Sequence, residues 1–334
     1  MSVTVALKPA YPFFIGGVKE LRPATAPLSR GIPPIYTVGG AVLSMLQKEG
    51  FDAEKLEMLI LDGKLRIFGT YMSVKGRCYV PAPSTLISKE TGRKPRKLAM
   101  FSVTEKPWAD GLFKRYGIKV PFDPSVKVKH ESVLVPVDKL PDIDVEDACN
   151  YKVESGEKLG IAVDRFKRTT LQPHLYTRVD VEAIQTEGEK LAFCVDIEAP
   201  DDVVNALKQT RKLIRFGGEG SVALACPEPD ALLAKKVARK PEAGRVYLAV
   251  SHVRVELVDK EFTVSLGDKV FTVEWCVGNV EPLSGWLLRE KRPKKTVATL
   301  APGTVFKLAS FKNQDQQDEW YFNLLNTIVE IKPS

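Results

Sequence analysis

At 334 residues, 44% apolar and 27% charged, the chain can bury enough surface to offset its ordering entropy, which excludes a disordered protein; its length makes two domains the default. The formal net charge of +7 and pI near 9.0 favour a polyanionic partner, and 42 acidic residues require that the basicity be local to act. No run approaches the ~18 apolar residues of a membrane span, and residues 1–7 lack the charged start and apolar stretch of a signal peptide, so a cytoplasmic protein without a membrane partner is expected.

In chain order, residues 3–7 form a first strand, and residues 35–49 form a helix that starts after Pro33-Pro34 and is closed by Gly50. Strands at 58–61 and 65–71 are expected around the hairpin signal Asp62-Gly63, followed by a strand at 78–80. Strand, helix, strand, strand is the first half of a ferredoxin-like βαββαβ unit, whose antiparallel face commonly serves as an RNA platform. Residues 90–97, Glu-Thr-Gly-Arg-Lys-Pro-Arg-Lys, form an exposed loop in an irregular region reaching about Pro141, either solvated or in contact with RNA.

A second block begins near Tyr151. It holds a strand at 191–197, a helix at 201–215, a glycine turn, strands at 222–225 and 246–256, a hairpin around Leu266-Gly267-Asp268 and a last strand at 304–308. The expected fold class is therefore α+β, with the half of a ferredoxin-like unit in the first block and a second α+β unit with β-hairpins in the second, divided as 1–150 and 151–334.

The helix at 201–215 would set Lys208, Arg211, Lys212 and Arg215 at i, i+3, i+4 and i+7, a basic face beside apolar Val203, Val204, Leu207, Leu213 and Ile214. The turn that follows, Phe216-Gly217-Gly218-Glu219-Gly220-Ser221, offers unobstructed N–H groups to an anion, or simply reverses the chain. Arg165-Phe166-Lys167-Arg168 interleaves an aromatic with cations, suited to stacking a base or to protecting a strand edge. Five cations between Arg289 and Lys295 fit RNA, a protein neighbour or a solvated hairpin tip. The cysteines Cys78, Cys149, Cys194, Cys226 and Cys276 have no zinc spacing, and neither a Walker A loop nor a dinucleotide fingerprint after Gly39-Gly40 occurs, so no metal or cofactor is expected. Of the histidines, His252 sits in an apolar strand, and His174 is the better candidate for chemistry.

Separated motifs coincide with one family. Leu283-Ser284-Gly285-Trp286-Leu287, Arg292-Pro293-Lys294-Lys295 and Ala301-Pro302-Gly303-Thr304-Val305-Phe306 form the strongest set. Leu159-Gly160-Ile161-Ala162-Val163-Asp164-Arg165, Leu175-Tyr176-Thr177, Gly217-Gly218-Glu219 and, more loosely, Tyr11-Pro12-Phe13-Phe14 and Pro33-Pro34 to Gly40-Ala41-Val42 accompany it. The chain resembles the third-subunit family of type III-B (Cmr) CRISPR effectors, within the RAMP superfamily; Ile15 and Ser44 stand where that family carries arginine.

The resemblance implies two ferredoxin-like (RRM-like) βαββαβ domains with insertions and β-hairpins, and a non-catalytic subunit that holds the 5′ tag of the crRNA, beside the large (polymerase/cyclase-like) Cmr subunit and the neighbouring RAMP backbone subunits. On that reading Lys208, Arg211, Lys212, Arg215, Gly217, Gly218, Gly220 and Ser221 grip phosphates. Arg165, Phe166, Lys167, Arg168, Tyr36, Gly39, Gly40 and Ser44 line the path of the tag. The alternatives are a metal-independent RAMP endoribonuclease using His174, and a pure protein-interaction subunit.

Overall fold

The structure, a computed structural model, describes residues 1–15, 32–89, 97–100, 133–143, 147–163, 170–186, 188–217, 220–228, 232–258, 261–266, 269–287, 290, 292–312, 320–325 and 327–332. The chain opens with β1 (Ser2–Pro9), α1 (Ile35–Lys48), α2 (Ala53–Leu61), β2 (Arg66–Val74) and β3 (Arg77–Pro81). In α1, Ile35, Val38, Val42, Met45 and Leu46 recur at helical spacing and are all buried, and Gly50 ends the helix in the left-handed region with φ 92°. The strand expected at 58–61 is instead the end of α2. Asp52 accepts a hydrogen bond from the Lys55 N–H at 3.0 Å, Leu56 and Ile60 bury one face, and Asp62-Gly63 closes the helix rather than a hairpin.

Next come a small hairpin of β4 (Leu86–Lys89) and β5 (Lys97–Met100), then β6 (Val133–Pro136) and β7 (Cys149–Asn150). A long ribbon pairs β8 (Lys152–Val163) with β9 (Thr170–Thr186), and β10 (Glu189–Lys190) adds to its base. β11 (Ala192–Glu198), α3 (Asp201–Gln209), β12 (Lys212–Arg215) and β13 (Val222–Glu228) complete the first sheet, ordered β12-β13-β1-β11-β2-β3-β6-β7 and antiparallel where paired. The division expected at residue 150 cuts through this sheet, because β1 lies between β11 and β13. The apolar runs of β11 and β13 find their complement on the N-terminal strand.

The second sheet holds β14 (Val246–Ala249), β15 (Val253–Val258), β16 (Glu261–Leu266), β17 (Lys269–Val277) and β18 (Val280–Leu283). A two-stranded ribbon of β19 (Trp286–Leu287) and β20 (Arg292–Pro293) follows, and β21 (Val297–Leu300), β22 (Val305–Lys312) and β23 (Ile328–Glu330) return to the sheet. The strand expected at 246–256 is two strands, broken where the N–H groups of Val250 and Ser251 both bond the Thr327 carbonyl. The unit expected over 151–334 is divided between the two sheets: β11, α3 and β13 go with the first sheet, and among the described residues from 246 onward no α-helix occurs. The strands of the second sheet from β14 to β18 follow one another through short connections.

Helices and first sheet share one core, with Val42, Leu46, Phe193, Val195 and Leu207 at its centre. The opposite face of the sheet meets the second sheet through Ala6, Tyr71 and Cys194 against Leu248, Trp275 and Val305. Asp196 is fully buried near this seam. Its carboxylate accepts from the Thr4 hydroxyl at 2.6 Å, the Tyr71 hydroxyl at 2.7 Å and the Ala234 N–H at 2.8 Å, which fastens the 232–237 segment to the sheet.

The C-terminal motifs act in packing. Lys294 is 7% exposed, and its ammonium lies 4.0 Å from the ring centroid of Tyr36, 4.9 Å from Tyr321 and 5.6 Å from Trp320. The Lys294 N–H bonds the Gly285 carbonyl at 3.0 Å, and a Cβ on Gly285 would sit 3.3 Å from the lysine stem. The Gly303 N–H donates to the Ala249 carbonyl and the Gly303 carbonyl accepts from Ser84, tying the link after β3 to the second sheet at a φ of 91°.

Candidate nucleic-acid interface

The helix expected over 201–215 stops at Gln209. Thr210 turns extended, with ψ 116°, its hydroxyl bonds the Ala206 carbonyl at 2.8 Å, and residues 212–215 pair with β13 as the edge strand of the first sheet. Lys208, Arg211, Lys212 and Arg215 therefore share no helical face. Lys208 stands exposed on the last turn of α3, Arg211 exposed in the link, and Arg215 exposed on β12. Lys212 is half-buried and ion-paired with Glu49, whose carboxyl this hydrogen bond holds below the usual range.

Ile214 is buried in the helix-side core, so Leu213 and Arg215 project to the opposite face. There Leu213 stands opposite Leu224, Leu224 opposite Lys8, and Arg215 opposite Val222. Leu213 is 65% exposed and Lys8 and Arg215 are exposed, whereas Ala6 and Cys194, further along the same face, are buried against the second sheet. One half of the sheet face is covered and the β12 half is open.

From Lys8 the open face leads into a cleft of about 400 Å³ lined by Lys8, Tyr11, Ser73, Lys75, Lys190 and Glu228 among others. The Lys190 ammonium lies 4.9 Å from the Tyr11 ring centroid, and burial pushes the Tyr11 phenol up to about 12, leaving a neutral donor that bonds the Leu191 carbonyl at 3.3 Å. Lys75 pairs with Glu189 at 3.1 Å, an exposed pair that salt screens. Lys8, Tyr11, Lys75, Lys190 and Glu228 escaped the sequence-based site. The alternation Thr4, Ala6, Lys8 along β1 is the signal that places at least Lys8 on this face.

The glycine turn is the tip of the β12–β13 hairpin. The Phe216 N–H donates to the Ser221 carbonyl at 2.9 Å, and the Ser221 hydroxyl accepts from the Phe14 N–H at 3.1 Å. Gly217, at φ 85°, approaches the chain so closely that a Cβ would lie 2.3 Å from the Phe14 carbonyl oxygen; Gly220, at φ 78°, meets nothing within 4 Å. Gly217→Ala should cost about 2–4 kcal/mol, from left-handed backbone plus a backbone clash, and Gly220→Ala only about 1–2 kcal/mol from the backbone. Equilibrium denaturation checks the difference; equal losses would mean that the contact with Phe14 yields freely.

Tyr36 and Gly39 face the core, Gly39 against Leu324 and Ile67, while Gly40 and Ser44 lie on the exposed side of α1. The structure thus places Gly40 and Ser44 on the helix layer and Arg215 on the opposite face of the sheet. Gly218 and Arg165, Phe166, Lys167 and Arg168 lie outside the described residues, as does the loop at 90–96. His174 falls in β9. His252 is buried, with its Nε2 2.6 Å from Glu281 Oε1. Lys294, in the basic stretch expected to meet RNA, a protein neighbour or solvent, is inside its ring cage. No helix among the described residues is long and apolar enough to cross a membrane.

No curated protein matches the chain. In solved structures it is similar to a chain of the type III-B Cmr-beta complex bound to cognate target RNA, with and without AMPPnP, at 17% identity and a TM-score of 0.52 over 91% of this chain and 86% of that one. A chain of a Csm3–Csm4 subcomplex of a type III-A CRISPR-Cas interference complex aligns over 99% of this chain and 98% of that one, at 12% identity and a TM-score of 0.42. The profile of the CRISPR-associated protein family Cas_Cmr3 matches residues 7–333, and the chain belongs to this family.

Proposed function

We propose that this chain is a non-catalytic guide-RNA-binding scaffold of a type III-B CRISPR interference complex, holding the 5′ tag of the crRNA and docking the large subunit beside the neighbouring RAMP backbone subunits. The observation that carries the reading is the open sheet face. Lys8 and Arg215 are exposed cations on it, Lys208 ends α3 on the helix layer, and Arg211 lies in the link between α3 and β12; none of the four makes an ion pair among the described residues. The central strands lie side by side as β13-β1-β11-β2 and alternate with helices in the chain, the order of a ferredoxin-like unit, and such a face suits single-stranded RNA. The Cmr-beta structure similar to this chain is bound to target RNA, which agrees with a place next to nucleic acid.

The RNA-binding set of this proposal is Lys208, Arg211 and Arg215 with the turn at Gly217, Gly220 and Ser221, extended by Lys8. Lys212 is withdrawn from it because Glu49 already neutralises its charge. The test measures binding of 5′-tagged guide RNA at about 50 and about 200 mM salt by the wild type and by Lys208→Glu, Arg211→Glu, Arg215→Glu combined. The triple variant should bind at least about tenfold more weakly at low salt, with a salt slope smaller by about 2, the RNA remaining intact, and Lys212→Ala should leave affinity unchanged. Unchanged affinity in the triple variant overturns the assignment. Discrete cleavage lost in His174→Ala would make the protein a nuclease instead.

A further inference from the structure

Glu228 is out of place on a surface that binds phosphate. It lies half-buried at the end of β13, opposite Thr4 in register and on the same face as Lys8, in a cleft whose other charged lining residues are Lys8, Lys75 and Lys190. A carboxylate repels phosphate oxygens. Lys75 is matched by Glu189 and Lys190 lies over the Tyr11 ring, yet Glu228 and Lys8 pair neither with each other nor with another described residue. An acceptor and a cation left apart in one cleft suit a ligand that brings both a donor edge and an anion.

We infer that this cleft takes a single splayed nucleotide, with Glu228 accepting from the donor edge of its base and Lys8 meeting its phosphate. The inference rests on the RNA-binding reading above and adds what is read. A cleft of about 400 Å³ is of the size that encloses one small ligand rather than a duplex. The chemistry of the base follows from the acceptor. The Watson–Crick edge of guanine presents N1–H and N2–H side by side, matching the two oxygens of a carboxylate. Adenine and cytosine each offer one amino group beside an unprotonated ring nitrogen that would face the carboxylate, and uracil offers one N–H between two carbonyls. The cleft therefore selects guanine, by two charge-assisted hydrogen bonds. Inosine, which keeps N1–H and lacks the amino group, keeps one of the two.

The probes are decauridylate and the same RNA with one central guanosine or one central inosine, bound to the full chain by fluorescence anisotropy at low salt, with circular dichroism to verify folding of each variant. The wild type should bind the guanosine RNA about tenfold more tightly than decauridylate, with inosine between them. Glu228→Gln should lose most of that preference, read as the ratio of guanosine-RNA to decauridylate affinity within the same variant, and Lys8→Ala should weaken all three RNAs alike. A wild type that does not distinguish the three RNAs, or a Glu228→Gln protein that keeps the full preference, overturns the inference and leaves the RNA-binding reading standing. A wild type that binds none of them overturns that reading and this inference together.

Discussion

Asp196→Ala should lower the stability of the fold by about 3–5 kcal/mol, seen as a fall in the guanidinium midpoint at unchanged slope. Removing the carboxylate leaves the Thr4 and Tyr71 hydroxyls and the Ala234 N–H without their acceptor in a place water does not reach. Tyr71 can still donate to Thr4, 3.4 Å away, which recovers part of the loss. The Ala234 N–H has no such substitute, so its hydrogen exchange should quicken more than that of β11. Asp196→Asn keeps one oxygen for the hydroxyls but turns an amide toward the Ala234 N–H, and should cost less, about 1–3 kcal/mol.

The pH dependence separates this carboxyl from the others. Burial raises Asp196 above its ordinary 3.8, against the pull of its hydrogen bonds. Because the folded state holds the proton more tightly, its contribution is full below 3.8 and is lost as pH rises through the folded value. Glu198 has the opposite sign: hydrogen bonding to Arg239 holds it below 4.5, so its contribution is lost on acidification. The stability gap between wild type and Asp196→Asn should therefore widen as pH falls toward 3.8. A gap independent of pH would mean that the buried carboxyl titrates alike folded and unfolded.

Lys294→Ala should cost about 2–4 kcal/mol, because the lysine stem fills the space between Gly285 and Tyr36 and its loss leaves a cavity under three rings. Lys294→Met, which fills the same space without charge, should stay within about 1 kcal/mol of the wild type at neutral pH: lost ring contacts offset the removed cost of burying an ammonium. Burial pushes that ammonium down to about 8 from 10.5, and the ring faces work in the opposite direction. A depressed folded value means that stability is full above 10.5 and falls as pH drops toward 8, by at most about 3 kcal/mol. Lys294→Met should lack that slope. A slope that persists in Lys294→Met would assign it to another group.

The motifs that mark the family were legible as spacing, and their physical meaning was not. Gly285 and Lys294 are nine residues apart in the chain, yet what a side chain at 285 would crowd is the lysine stem held against Tyr36 of α1. The basic stretch 208–215 matched a helical period because a run of four cations fits that pattern, and only the pairing of residues 212–215 with β13 shows that the backbone is extended. Met58 and Leu61 beside Asp62-Gly63 imitated a hairpin arm. Asp52 as a cap and Leu56 and Ile60 at helical spacing outweigh that local signal.

By itself the sequence determined the elements whose signals are local: the strand of β1, the helix α1 with its closing glycine, the apolar strand of β11 and the hairpin between β16 and β17. It also determined the net basicity and the motif order of the family. Tertiary structure alone decided that β1 lies between β11 and β13, that the second sheet covers only half of the face, and that Lys8 and Glu228 meet in one cleft from strands about 220 residues apart. The physical reason is that register and burial are settled by contacts between distant segments, whose free energy no short window of sequence contains.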